Sequence, residues 1–339
     1  MIRPGNLRVR AHSILALGVL TIVACGSIDD FSERGGPRYA TLEQAPTTTP
    51  AESKAARANH AIKTVFLILF ENHDWSDIKG SSRAPYFNSL LSIGAHTENY
   101  FENASAIHPS EPNYIWLEAG DNLGVVNDDA PSLNHRSTTK HLTALLDDAA
   151  ISWKSYQENI DGSTCPLYPD GLYDPKHDPS LYFDDVTDNL SPTSAKCIAH
   201  ERPYPELEQD LNAGTVAAYN FITPNLCNNM HDDNDPRCAS PDSLVNGDQW
   251  LSRELPKILA SAAYLAGGAV FITWDESENG ESPIGMIVLS PYAKKAYSNA
   301  VYYTHSSMLR TAQEIFAVQP YLRDAADSPS LSDLFETYP

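Results

Sequence analysis

The sequence predicts an α/β fold, a doubly wound and mostly parallel sheet with helices on both faces. Three observations carry that expectation. First, Lys63-Thr64-Val65-Phe66-Leu67-Ile68-Leu69-Phe70 is an unbroken apolar run rich in β-branched residues. Such a run suits a strand buried on both faces, where a parallel sheet puts its strands. Second, comparable runs recur at Ala217-Ala218-Tyr219-Asn220-Phe221-Ile222, Ala269-Val270-Phe271-Ile272-Thr273-Trp274 and Met286-Ile287-Val288-Leu289. Third, amphipathic helical patterns separate them. Thr138 to Ala150 aligns Leu142, Leu145 and Leu146, and Asp248 to Ala262 aligns Leu251, Leu255, Ile258 and Leu259. Alternation of this kind implies βαβ units with the active site at the carboxyl ends of strands.

The chain of 339 residues is 42% hydrophobic, enough for a large core. Its 23 Lys and Arg against 44 Asp and Glu give a net charge of −21. That balance excludes nucleic acid as a partner, because phosphate backbones are held by Lys and Arg. No protein partner is predicted.

The first 25 residues read as a targeting segment. Arg3, Arg8 and Arg10 form a positive start, and Ser13 to Ala24 is an apolar stretch short for a bilayer span. It ends Ile22-Val23-Ala24-Cys25, which resembles a bacterial lipobox. In that reading the Cys25 thiol carries lipid and anchors an exported protein to a membrane, at the periplasmic side or the cell surface. The remaining alternative is an ordinary signal peptide and secretion. Of five Cys, removal of Cys25 leaves four that can pair. Local pairing as Cys165–Cys197 and Cys227–Cys238 is the expectation among three connectivities. Residues 26–60, polar and rich in Pro and Thr, read as a flexible tether, and 61–339 as the folded domain. Within it, 161–205 reads as an irregular, stapled excursion near the pocket rim.

Polar residues gather where core strands end. The first strand runs into Glu71-Asn72-His73, and the strand near Val270 runs into Asp275-Glu276. Glu71, Asn72, Asp275 and Glu276 together could ligate a divalent cation, which would relieve the repulsion of three carboxylates. It would also give an acidic protein a positive centre for a phosphate ester. Asp275-Glu276 alone is as readily a helix cap with a solvated neighbour. In His108-Pro109-Ser110-Glu111-Pro112-Asn113-Tyr114, two prolines fix the backbone around Ser110. A helix beginning in Trp116 to Gly124 would place Ser110 near its anion-attracting N-terminus. By itself, a Ser between two prolines is more often a turn residue. His231-Asp232 follows Thr223-Pro224-Asn225, and His305 precedes the helical pattern Met308 to Phe316. Each imidazole is a candidate for proton transfer or phosphate binding. Of the 11 His, His135, His141, His177 and His200 lie in polar stretches and read as surface residues. The sequence has no phosphate-cradling Gly-rich loop, no His-Glu-x-x-His and no Gly-x-Ser-x-Gly.

The ordered set Glu-Asn-His, His-Pro-Ser-x-Pro-Asn-Tyr, Thr-Pro-Asn with a later His-Asp, Thr-Trp-Asp-Glu and His-x-Ser-x-Leu-Arg-Thr resembles the phosphoesterase family. That family groups acid phosphatases with phospholipases C inside the alkaline-phosphatase-like superfamily. The likeness runs from about Lys63 to Phe316. It implies an alkaline-phosphatase-like fold, Glu71, Asn72, Asp275 and Glu276 as metal ligands, and Ser110 as a nucleophile that becomes phosphorylated. It also implies Asn113 and Asp232 as substrate-binding residues, with His231 and His305 as catalytic histidines. Oxygen-rich ligation favours Ca²⁺, Mg²⁺ or Mn²⁺ over a pair of Zn²⁺. The implied activity is hydrolysis of phosphate monoesters. A phospholipase C-like diesterase and a non-catalytic phosphate- or metal-binding lipoprotein are the alternatives.

Overall fold

The computed structural model describes residues 49–103, 108–278 and 280–339. The targeting segment, Cys25 and most of the expected tether lie outside the described residues. The described part of that tether holds regular structure: Pro50–Ala58 is a helix, capped by Thr49 and Glu52. Its buried Ser53 donates through Oγ to Ala317 O at 2.8 Å, so this end of the segment is packed on the domain.

Among the described residues ten strands follow: β1 Thr64–Phe70, β2 Ala95–Thr97, β3 Tyr100–Phe101, β4 Trp153–Gln157, β5 Glu201–Pro203, β6 Tyr219–Thr223, β7 Gly268–Trp274, β8 Met286–Leu289, β9 Tyr297–Asn299 and β10 Tyr303–Thr304. Eight of them form one sheet in the order β5-β4-β6-β1-β7-β8-β2-β9, and β10 pairs with β3 apart from it. Every residue of β1 and of β7 is buried, as their unbroken apolar runs require. Only β8 runs antiparallel to its neighbours. The described residues of the Trp274-to-Met286 connection contain no helix, and a parallel return would need a longer crossover.

The sheet register sets the site. Phe70 of β1 lies opposite Trp274 of β7, so Glu71 and Asp275 leave the sheet side by side. On the other flank Ile68 of β1 lies opposite Ile222 of β6, which brings the Thr223-to-Asp242 loop to the same edge. The loop is tied there by the Glu71 N–H, which donates to Asn229 O at 2.8 Å.

Helix boundaries differ from the pattern reading where caps intervene. The helix expected from Asp248 begins at Ser243, because Asp242 caps it by accepting from Val245 N, and it ends at Leu259. The pattern from Thr138 to Ala150 yields only Leu142–Asp148. His141 is extended there and its ring is committed elsewhere, so the chain before Leu142 cannot wind. The stretch 161–205 is more regular than expected. It carries the short helix Ala195–His200 and supplies β5 to the edge of the main sheet. The disulfides pair Cys165 with Cys197 and Cys227 with Cys238.

His141, expected at the surface, is fully buried. It lies between Glu118 Oε1 at 3.1 Å and Asp185 Oδ1 at 2.8 Å, stacked on Phe183. Burial pushes its pKa down, but the bonds to Asp185 and Glu118 outweigh burial and the net shift is upward. A raised folded-state pKa means that the stabilisation is fully present below the unfolded value near 6.5 and is lost as pH climbs past the folded value. We expect His141→Gln to cost about 3 kcal/mol at pH 6, as for a buried pair losing one partner. The deficit should shrink toward pH 9. Thermal melts of both proteins across that range check it, and a deficit independent of pH would refute the charged pairing.

Candidate active site

Ser110 opens the Ser110–Ala119 helix, with Pro109 as the cap residue and Gly120 in the left-handed conformation ending it. The helix therefore starts at Ser110 itself, earlier than the Trp116 segment that the pattern indicated. The Ser110 side chain is buried, and its Oγ–H donates to Glu71 Oε2 at 3.0 Å. Tyr114, one turn further on, donates its hydroxyl to the other oxygen, Glu71 Oε1. His177 Nε2 lies 3.3 Å from Glu71 Oε2. One carboxylate thus gathers a serine and a tyrosine from one helix and an imidazole from a separate turn. Burial alone would raise the Glu71 pKa, yet His177, His231 and the Tyr114 hydroxyl hold it below the ordinary carboxylate range.

Asn72 and Asp275 stand beside this group. Asn72 adopts φ 45°, a left-handed conformation that Asn tolerates better than most residues. That turn aims the Asn72 N–H at Asp275 Oδ1, 3.0 Å away. The second oxygen, Asp275 Oδ2, is buried and has no hydrogen-bond partner among the described residues. Burial, Glu71 and Glu276 together push the Asp275 pKa well up. Glu276 is pushed up to about 9 by burial, then by Glu71 and other acids. Glu276 accepts from Asn113 Nδ2 at 2.9 Å and pairs with His108 Nδ1 at 3.0 Å.

Glu71, Asp275 and Glu276 are buried carboxylates, and the unsatisfied Asp275 oxygen is a donor suited to a divalent cation. Glu71, Asn72, Asp275 and Glu276 are the residues that would hold it. Glu71, His177 and His231 also offer ligand atoms lying within 4.8 Å of one another, so nitrogen donors border the same carboxylate.

The two expected catalytic histidines have different surroundings. His305 is fully buried. One ring nitrogen meets Asp275 O at 2.6 Å and the other meets the Tyr100 hydroxyl at 3.1 Å. A carbonyl only accepts, so Nε2 carries the proton and Nδ1 accepts from Tyr100. Burial lowers its pKa to about 4, which keeps the ring neutral and leaves neither nitrogen for a substrate. Its evident task is to fix the Asp275 backbone. His231 borders a polar cavity of about 360 Å³ that Asn72, His73, Arg83 and Ser243 also line. Asp232 meets His231 Nδ1 at 2.8 Å and approaches Arg237 at 3.5 Å. Asp232, expected to bind substrate, is thus engaged with the His231 ring and Arg237. Met230, just before, has φ 81° and packs against Gly247, where a Cβ would collide with it. This contact fixes the loop that carries His231.

Several participants escaped the sequence reading. His177 reads as a surface residue but is 2% exposed and faces Glu71. Its signal was available, since Pro175 and Pro179 bracket it as Pro109 and Pro112 bracket Ser110. Tyr114 and His108 lie inside the Ser110 motif yet were given no role. Lys176 and Asp128 carry no motif that would mark them.

Residues 80–319 match the model of the phosphoesterase family. The chain is 26% identical over 287 residues to a phosphatidylinositol-3-phosphatase of Mycobacterium tuberculosis, covering 84% of this chain and 87% of that protein. It is 28% identical over 291 residues to a phosphate-repressible acid phosphatase of Penicillium chrysogenum, covering 79% of this chain and 65% of that protein. Among solved structures, a protein of the alkaline phosphatase superfamily from Vibrio parahaemolyticus superposes with a TM-score of 0.52 at 8% identity, over 80% of this chain and 72% of that one. A phosphonate monoester hydrolase of Agrobacterium radiobacter does so with 0.51 at 11% identity, over 81% and 77%. At such identities these two likenesses speak to the fold alone. The family match spans most of the folded domain, and the chain belongs to the phosphoesterase family, hydrolases that act on phosphate ester bonds.

Proposed function

We propose that the protein is a metal-dependent phosphomonoesterase of the acid-phosphatase kind that works through a phosphoserine at Ser110. The observation that carries this reading is the Ser110 hydroxyl, which donates to a carboxylate standing among other buried acids. A hydroxyl so placed is oriented by that carboxylate, and the surrounding acids suit a cation that would lower the hydroxyl's pKa. Phosphatase relatives in bacteria and fungi support the monoester assignment. A bound divalent cation would supply positive charge beside the serine oxygen and the phosphoryl oxygens.

The chain's own groups divide the remaining work. Glu71 Oε2 orients the Ser110 hydroxyl, whose proton is lost to cavity water as Oγ attacks phosphorus. The Oγ–P bond forms while the bond from phosphorus to the alcohol oxygen breaks. That oxygen leaves with a proton from protonated His231, whose ring Asp232 steadies. Water then attacks the phosphoserine, giving its proton to His231 Nε2, and Ser110 Oγ recovers a hydrogen from cavity water. The N–H groups of the first helical turn, beginning at Ser110, favour the phosphoryl charge. His305 takes no part in proton transfer, because both of its nitrogens are engaged.

The lipobox reading completes the proposal: an exported enzyme carried on a membrane by lipid at Cys25. The two disulfides are consistent with an oxidising compartment. Among the described residues, no helix is long and apolar enough to cross a membrane.

Ser110→Ala should leave the melting curve nearly unchanged and reduce p-nitrophenyl phosphate hydrolysis at least ~10³-fold. Near wild-type turnover in that variant would sink the nucleophile assignment. Chelation should abolish turnover, and a panel of Ca²⁺, Mg²⁺, Mn²⁺ and Zn²⁺ should restore it selectively. Asp275→Asn tests the carboxylate cluster without reference to activity. In chelator its melting temperature should exceed the wild type's, because one of the crowded buried carboxyls is gone, while the rise on adding cation should vanish. An unchanged cation response in Asp275→Asn would remove that residue from the ligand set. Faster cleavage of bis-p-nitrophenyl phosphate than of the monoester would replace the monoesterase reading with a diesterase.

A further inference from the structure

Lys176 sits in the Pro175–His177 turn, next to His177, and its side chain is 14% exposed. Its Nζ donates to Asp128 Oδ2 at 3.0 Å and to His231 Nε2 at 3.1 Å. An ammonium has three protons, and these bonds use two. Asp128 Oδ1 accepts from the Glu111 N–H at 2.9 Å, in the first turn of the helix that Ser110 opens. One carboxylate therefore ties this cation to the nucleophile's helix. His231 in turn shares its cluster with Glu71, on which the Ser110 hydroxyl rests.

The neighbourhood gives this lysine an uncommon position. Around the serine and this lysine stand Glu71, Asp275, Glu276 and Asp128, in a chain of net charge −21. Arg83, on the wall of the adjoining cavity, is already paired with Asp242 at 3.2 Å. Arg237 is spent on Asp235 at 2.6 Å. Lys176 is paired too, but one of its two partners is a neutral acceptor that a phosphoryl oxygen would outcompete. An anionic oxygen makes a charge-assisted bond stronger than one to an imidazole lone pair.

Resting on the phosphoesterase reading above, we propose that Lys176 is a substrate-contacting residue. On binding, its ammonium stays on Asp128 and transfers its second bond from His231 Nε2 to a phosphoryl oxygen. The same movement exposes His231 Nε2 to the cavity, where the proton-transfer steps need it. The resident cation of the protein thus holds the phosphate group and at the same time releases the imidazole.

The test compares wild type with Lys176→Gln, which keeps a donor for Asp128 but lacks the charge, and Lys176→Arg, which keeps the charge. Inorganic phosphate is the probe, read as a competitive inhibitor of p-nitrophenyl phosphate hydrolysis and by titration calorimetry. In Lys176→Gln the inhibition constant and KM should rise about tenfold or more, the scale of one lost charged hydrogen bond. Lys176→Arg should restore phosphate binding to within a few fold. A fall in kcat with phosphate affinity and KM unchanged would mean that Lys176 only positions His231, and the proposal fails. If Lys176→Gln does not fold, as judged by its melt, failure of the folded Lys176→Arg protein to bind phosphate would overturn it as well. A wild type that binds phosphate but hydrolyses no ester would refute the enzymatic reading, while the calorimetric comparison would still decide this one.

Discussion

Electrostatic strain at the carboxyl edge of the sheet is what the rest of the site is built around. Because Phe70 and Trp274 are opposite one another in adjacent parallel strands, Glu71 and Asp275 must emerge together into a buried space. Like charges so close in low dielectric raise each other's proton affinity, which is visible in the upward shifts of Asp275 and Glu276. Only Glu71 escapes, because His177, His231 and the Tyr114 hydroxyl surround it. A fold whose core strands end in acids needs compensating positive charge at that point.

The compensation comes from loops rather than from the sheet. The chain after β6 delivers His231, the stretch stapled by Cys165–Cys197 delivers Lys176 and His177, and the helix beside it delivers Ser110 and Tyr114. Each loop is held by bonds unrelated to catalysis: Asn229 O to the Glu71 N–H, Asp128 to Glu111, Met230 against Gly247. Behind the acids, His305 and Tyr100 fix the Asp275 backbone from the interior. The groups that would meet a substrate are therefore rigidly positioned, although most of them come from non-regular structure.

Much of this was legible in the sequence, and the failures share one cause. β1, β7 and β8 could be read because strands buried on both faces leave unbroken apolar runs. Ser110, Glu71 and Asp275 could be read because prolines or strand ends marked them. His177, His141 and Lys176 could not be placed, since burial of a polar residue depends on partners far away in the chain. His141 faces Glu118 and Asp185, neither of which its local sequence announces. His305 looked like a proton carrier, and only its two distant partners show why it is held neutral.

The sequence by itself determined which strands fill the core, where their polar ends fall, and which family the ordered motifs match, because these follow from local composition and spacing. Tertiary structure alone decided which polar groups share a carboxylate. That depends on strand register and on loops closing over the sheet edge, and neither leaves a periodic trace in the chain.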